Sequence, residues 1–195
     1  MLSIFVRRLV NIDQCKLLHR LQVLIADDDV DAVELYRAAL EAKGHVVTIS
    51  LDGRECVNAY TKTMQRLGPA KRSSKSQPYD VVILDYKMPL VDGLEVAKEI
   101  IRLNPHQRII FASAYVKETL MDSVRELNQV TELIQKPFEP DVLIDVVEDI
   151  DTISRLGELN HLVKEITSKN GRSPDGSQIE ILMQLLKKIQ KTGTL

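Results

Sequence analysis

Three consecutive aspartates, Asp27, Asp28 and Asp29, follow one apolar run. A fourth, Asp85, closes the run VVILD; Ser113 closes IIFAS; Lys136 and Pro137 follow LIQ. These residue types suit phosphoryl transfer, which needs an oxygen nucleophile in line, charge neutralisation and donors for the equatorial oxygens. Asp85 can be the nucleophile. Lys136 can neutralise a phosphoryl oxygen as a point charge, and the Ser113 hydroxyl can donate to another. Carboxylates gathered in one cleft repel each other and tend to hold protons. A hard divalent cation removes that problem, and Mg²⁺ takes oxygen ligands in octahedral geometry, often completed by a phosphate. Each residue alone also has an ordinary role: a strand-end aspartate as a turn or cap, Ser113 on a nearby backbone group, Lys136 as an exposed cation. Convergence of all of them on one place separates the two readings.

Convergence depends on the elements that carry them. Short β-rich runs at 21–26, 45–50, 81–85, 108–113 and 131–135 alternate with helical periodicity. The strands are mostly too apolar to have a wet face. They predict a doubly wound α/β fold, a five-stranded parallel sheet covered on both sides by right-handed crossovers. Parallel strands finish at one edge, where such folds bind ligands. Capping-box spacing at Asp31 and Glu34, and again at Asp52 and Glu55, marks the starts of the first two helices. Gly44 ends the first of them. Gly93 precedes the third, a fourth spans about 117–127, and Pro140 opens a fifth. Residues 68–78 have the composition of a surface loop, and 1–20 read as a short arm.

The 195 residues carry a net charge of −2, so whole-chain charge disfavours nucleic acid or an anionic membrane as the main partner. No apolar run reaches the ~18 residues of a membrane span, and the opening MLSIFVRRLV lacks a small-residue cleavage site. Cys15 and Cys56 stand in no metal-like spacing, which fits a reducing, cytoplasmic location.

VLIADDD, VVILDYKMPLVDG, IIFASAY and LIQKPF, in that order, resemble the receiver domain of two-component response regulators, a flavodoxin-like fold. The resemblance covers about residues 21–150, and the D-x-x-M-P-x-x-D-G stretch from Asp85 to Gly93 is its most specific part. It implies that Asp85 is the phosphoacceptor. It also implies that Asp27, Asp28, Asp85 and the backbone carbonyl of Lys87 bind Mg²⁺, that Ser113 is the switch hydroxyl, and that Lys136 contacts the phosphoryl group before a cis bond to Pro137. The donor would be a sensor histidine kinase or a phosphotransfer protein. The family usually has an aromatic switch residue three positions before the lysine; this chain has Leu133 there. Either Leu133 packing serves the switch, or Tyr115 takes part.

The division expected is an arm at 1–20, a receiver domain at 21–150 and a helical extension at 151–195. Apolar residues continue at three- and four-residue steps from Val146 to Ile166, predicting that the last receiver helix runs on to about Ser168. A capping-box pattern at Ser177 and Glu180 then starts a second amphipathic helix. Such an αα-hairpin is too small to bury its apolar face alone and should pack on the receiver or on a second copy. The expected function is a phospho-accepting switch of a protein-interaction or dimerisation surface, not an enzyme in its own right. One alternative is a transcriptional regulator with a minimal DNA-binding hairpin, but 151–195 holds seven Lys/Arg against five Asp/Glu and no basic recognition helix. An aspartyl-nucleophile phosphatase is another, though a dehalogenase-like acid/base aspartate would fall where Lys87 stands. A pseudo-receiver serving as a structural module is a third.

Overall fold

A computed structural model describes residues 20–67, 77–149, 156–164 and 175–189. The expectations for 1–19, for most of the 68–78 loop and for 150–155 and 165–174 lie outside the described residues.

Five parallel strands, β1 (Gln22–Ala26), β2 (Val46–Ser50), β3 (Val81–Asp85), β4 (Ile109–Ser113) and β5 (Glu132–Gln135), form one sheet in the order β2-β1-β3-β4-β5. Helices α1 (Val30–Ala42), α2 (Gly53–Arg66), α3 (Gly93–Leu103) and α4 (Val116–Glu126) make the four crossovers, and α5 (Pro140–Glu148) follows β5. The order reverses beside β1, so the carboxyl ends of β1 and β3 flank the crevice that such a reversal opens.

Alternate side chains of the central strands feed two cores, because successive residues of a strand point to opposite faces. Val23, Ile25, Val81, Ile83 and Ile110 pack against α1 and α5; Leu24, Ala26, Val82, Leu84 and Phe111 pack against α2, α3 and α4. β1, β3 and β4 are therefore apolar along nearly their whole length, while edge strand β2 stays half-buried apart from Ser50. Cys56 lies fully buried in the second core, which pushes its thiol up to about 12.

Helix ends correct several sequence expectations. Asp29, not Asp31, caps α1: its carboxylate accepts the N–H groups of Asp31 and Ala32, each at 3.1 Å. Asp52 caps α2 as expected, and Gly44 takes a φ of +91° just past α1, the left-handed region where glycine is unstrained. The helix predicted to run to about Ser168 stops at Glu148. Asp149 leaves helical geometry with ψ of 92° and donates its N–H to the Val146 carbonyl, and the Val146 and Val147 carbonyls accept hydrogen bonds from the Arg108 guanidinium. A tertiary cation thus ends a helix whose apolar periodicity continues.

Residues 156–164 are helical again, and α6 (Gly176–Ile189) follows. α6 is capped by Asp175 and Gln178, not by the predicted Ser177 and Glu180. The Asp175 carboxylate accepts the Ser177 and Gln178 N–H groups, each at 2.9 Å, and Gln178 accepts the Asp175 N–H. Both helical segments bury apolar faces on the receiver: Leu159, Val163, Ile179, Leu182, Met183 and Leu186 join the core that holds Leu120, Val124 and Leu133. A cavity of about 450 Å³ separates segment 156–164 from the amino ends of β4 and β5. Gln107, Arg108 and Asn160 in its lining hydrogen-bond within the protein. Among the described residues, no helix is long and apolar enough to cross a membrane.

Candidate functional site

Strand register assembles the polar strand ends step by step. Ala26 pairs with Leu84, so Asp27 and Asp85 follow side by side. Asp85 pairs with Ala112, one residue before Ser113, and Ser113 pairs with Gln135, one residue before Lys136. Backbone bonds fix these ends: Asp27 N–H to Ser50 at 3.2 Å, Tyr86 N–H to Ala112 at 3.2 Å and Lys136 N–H to Ser113 at 3.0 Å.

Side chains complete the cluster. The Lys136 ammonium lies 2.7 Å from Asp27 Oδ2 and 2.7 Å from Asp85 Oδ1. Asp27, Asp28 and Asp85 each bring a carboxylate oxygen to within 4.8 Å of the others. Asp27 and Asp85 are buried and Asp28 is exposed. This set fits a hard cation: the donors are all oxygens, and the exposed side leaves room for the waters Mg²⁺ retains. Asp29 stands outside the set because it caps α1. Lys87, two residues past Asp85, is exposed, with its ammonium 5.4 Å from the Tyr86 ring centroid.

Burial raises the Asp85 carboxyl above the ordinary carboxylate range; the bond and charge of Lys136 pull it back, and Asp27 and Asp28 add to the rise. Burial alone would lower the Lys136 ammonium, but its hydrogen bonds and charge pairing with Asp27 and Asp85 prevail and raise it. The chain therefore keeps a charged lysine between Asp27 and Asp85.

The buried Ser113 hydroxyl accepts the Tyr115 N–H at 2.9 Å and lies 3.0 Å from Thr119 Oγ1. Of the two switch candidates, Tyr115 is 55% exposed at the start of α4, and Leu133 is 5% exposed within the core that reaches α6. The Lys136–Pro137 bond is cis.

Residues 23–148 match the family described as the response regulator receiver domain. The chain belongs to that family.

Receiver domains bind Mg²⁺ at their acidic pocket and are phosphorylated by histidine kinases. Among relatives, the transcriptional regulatory protein TrcR of Mycobacterium tuberculosis is 25% identical over 162 residues, 83% of this chain and 56% of TrcR. The chain thus spans little more than half of that relative. Chemotaxis protein CheY4 of Vibrio cholerae has the same fold, with a TM-score of 0.55 at 22% identity over 67% of this chain and 98% of CheY4. Response regulator TrrA of Thermotoga maritima, solved in complex with Mg²⁺-BeF, is 28% identical with a TM-score of 0.50, covering 65% of this chain and 96% of TrrA.

Three features of this receiver domain escaped the sequence reading. Thr119, on the first turn of α4, touches Ser113; the helix start had to be known before its reach was. Tyr86, directly after Asp85, donates its hydroxyl to Asp122 of α4 and meets Phe111 edge-on at 6.0 Å. Gly93 opens α3 against the strand end itself. A Cβ there would stand 2.2 Å from the Asp85 carbonyl oxygen and 3.2 Å from Tyr86 Cα, all backbone that cannot rotate away. Gly93→Ala is expected to lower stability by about 1–3 kcal/mol, the range for forced overpacking, measured by urea unfolding.

Proposed function

We propose that Asp85 accepts a phosphoryl group from a histidine kinase or a phosphotransfer protein in the cytoplasm, and that the modified site switches a protein-interaction surface. The observation that carries this reading is the Lys136 ammonium held 2.7 Å from the carboxylates of both Asp27 and Asp85. An Asp85 oxygen forms the new bond to phosphorus as the donor's N–P bond breaks, and the bonding pair leaves with the imidazole. Lys136 gives up part of its pairing with Asp85 and takes a phosphoryl oxygen. The Ser113 hydroxyl, on the neighbouring strand end, donates to another. Asp27, Asp28, Asp85 and the Lys87 carbonyl would hold Mg²⁺, which supplies the positive charge that lets a phosphoryl group approach these acids.

A protein donor also suits the rim of the site. Val30 at the start of α1, and Leu51, Leu90 and Tyr115 from the next three β–α connections, are all exposed at this edge. Leu90 is 88% exposed, which a small-molecule donor would not require.

The test is incubation of the full chain with acetyl phosphate and Mg²⁺, followed by a phosphate-affinity gel. A retarded band is expected with Mg²⁺ and is expected to vanish with a chelator. No retarded band under either acetyl phosphate or a phosphorylated kinase would refute the reading.

A further inference from the structure

The cavity of about 450 Å³ at the amino ends of β4 and β5 lies across the sheet from Asp85, at the opposite edge. One wall is segment 156–164. Gly157, Asn160, His161 and Lys164 follow at three- and four-residue steps and all line the cavity, while Leu159 and Val163 turn into the core. An amphipathic helix ordinarily gives its polar stripe to solvent; this one gives it to a cavity. The facing wall is the chain leading into the two strands, with His106 before β4 and Gln129 and Thr131 before β5.

The fold leaves much of this lining without partners. Arg108 and Glu132 satisfy each other through two hydrogen bonds, at 2.7 and 2.9 Å. Thr131 is 2% exposed, yet its hydroxyl has no hydrogen-bond partner among the described residues, an arrangement that costs stability unless something fills it. Asn160 Oδ1 accepts the Val130 N–H at 2.5 Å; that bond orients the amide and leaves its NH₂ group without an acceptor among the described residues. The side chains of His106, Gln129 and His161 have no partner there either. These groups are graded by depth: His106, His161 and Lys164 are exposed at the mouth, Gln129 and Asn160 are half-buried, and Thr131 is buried.

We propose that this cavity binds a phosphorylated sugar, free or as part of a nucleotide. Its volume falls within the roughly 300–1,000 Å³ of small-molecule sites. The phosphate takes the mouth, where the Lys164 ammonium and the two imidazoles approach from both walls. Three terminal oxygens can meet donors from both walls, which a planar carboxylate cannot. The sugar hydroxyls go deeper, donating to and accepting from Gln129, Asn160 and Thr131. An apolar ligand would leave those groups desolvated and unpaired. A metal ion has no cage here: among the described residues, the one group of three metal-type ligands is Asp27, Asp28 and Asp85, at the other edge. The site stands independently of Asp85 being the phosphoacceptor.

Titration calorimetry on the full chain tests it with ribose 5-phosphate, AMP, ribose and inorganic phosphate, in EDTA to remove metal-dependent binding at Asp85. At least one phosphate ester is expected to bind with a Kd below about 1 mM and more tightly than ribose or inorganic phosphate. Binding of ribose 5-phosphate assigns the sugar phosphate itself as the ligand; binding of AMP alone assigns a nucleotide. A Cβ on Gly157 would meet nothing within 4 Å, so Gly157→Leu should plug the cavity without strain and abolish binding. Lys164→Gln should weaken binding about tenfold, the scale of a lost charged hydrogen bond, at unchanged Tm. Thr131→Val should weaken binding about threefold while the ligand-free Tm holds or rises, because it removes a hydroxyl that is unpaired until ligand arrives. A merely structural threonine would leave binding unchanged. No binding by either ester below about 1 mM, or binding of ribose or inorganic phosphate as tight as theirs, overturns the site. So does undiminished binding in Gly157→Leu, or, should that variant misfold, in both Lys164→Gln and Thr131→Val.

Discussion

Asp85→Asn is expected to form no phosphoprotein with acetyl phosphate and Mg²⁺, a complete loss on the phosphate-affinity gel or by intact mass, while remaining folded. Asparagine keeps the shape but not the nucleophile: its amide oxygen is a poor attacker at phosphorus, and no neighbouring acid takes its place. Asp27 is buried and already paired to Lys136 at 2.7 Å, and Asp28 is exposed at the rim. Folding should survive because Lys136 keeps Asp27. The sign of the stability change follows from burial. The folded state raises the Asp85 carboxyl above its usual range, so its ionisation costs stability once pH exceeds the unfolded value. Without divalent cation, Asp85→Asn should melt at or above wild type near neutral pH. That advantage should fade as pH falls through the carboxylate range and wild-type Asp85 takes up a proton. Lys136→Ala should reduce uptake without abolishing it, since it removes charge neutralisation and not the nucleophile. A retarded band in Asp85→Asn would place the acceptor elsewhere.

The residues that carry this chemistry were legible because buried parallel strands leave a plain trace. β3 is buried on both faces, so VVIL has no polar residue until Asp85 marks the edge of the sheet. The same reasoning applied to each strand brought Asp27, Ser113 and Lys136 to one rim before any register was known. Legibility ended where a side chain from another element decides the outcome. Apolar steps from Val146 onward obey helical spacing, yet α5 stops because Arg108 takes its last carbonyls. Asp31 and Ser177 have acceptable cap spacing, but Asp29 and Asp175 stand closer to where the chain turns into each helix, and their carboxylates reach the free N–H groups. Leu133 could be recognised as a departure from the family's aromatic, but not as part of a core continuous with α6. That depends on where residues more than forty positions later fold back.

Arg108→Met should cost about 3–5 kcal/mol, the range for breaking a buried ion pair by removing one partner. The Glu132 side chain is 0% exposed, and its two oxygens accept Arg108 Nε at 2.7 Å and an Arg108 terminal nitrogen at 2.9 Å. The same guanidinium donates to the Val146 carbonyl at 2.7 Å and the Val147 carbonyl at 2.8 Å. Methionine fills much of the arginine stem's volume but strands a carboxylate beneath the sheet and frees the end of α5. Ile110 pairs with Glu132, so Arg108, two residues earlier and just before β4, is set to reach across. Urea unfolding measures the loss. Adding Glu132→Leu should restore most of it, because an apolar pair of similar size replaces a buried ion pair at little net cost. The residue of the deficit then measures what the two α5 carbonyls lose, about 0.5–1.5 kcal/mol for each hydrogen bond. If Arg108→Met alone costs under about 1 kcal/mol, the guanidinium does not hold β4, β5 and the end of α5 together. The stop at Glu148 would then need another cause, and α5 would be free to extend toward the C-terminal helices.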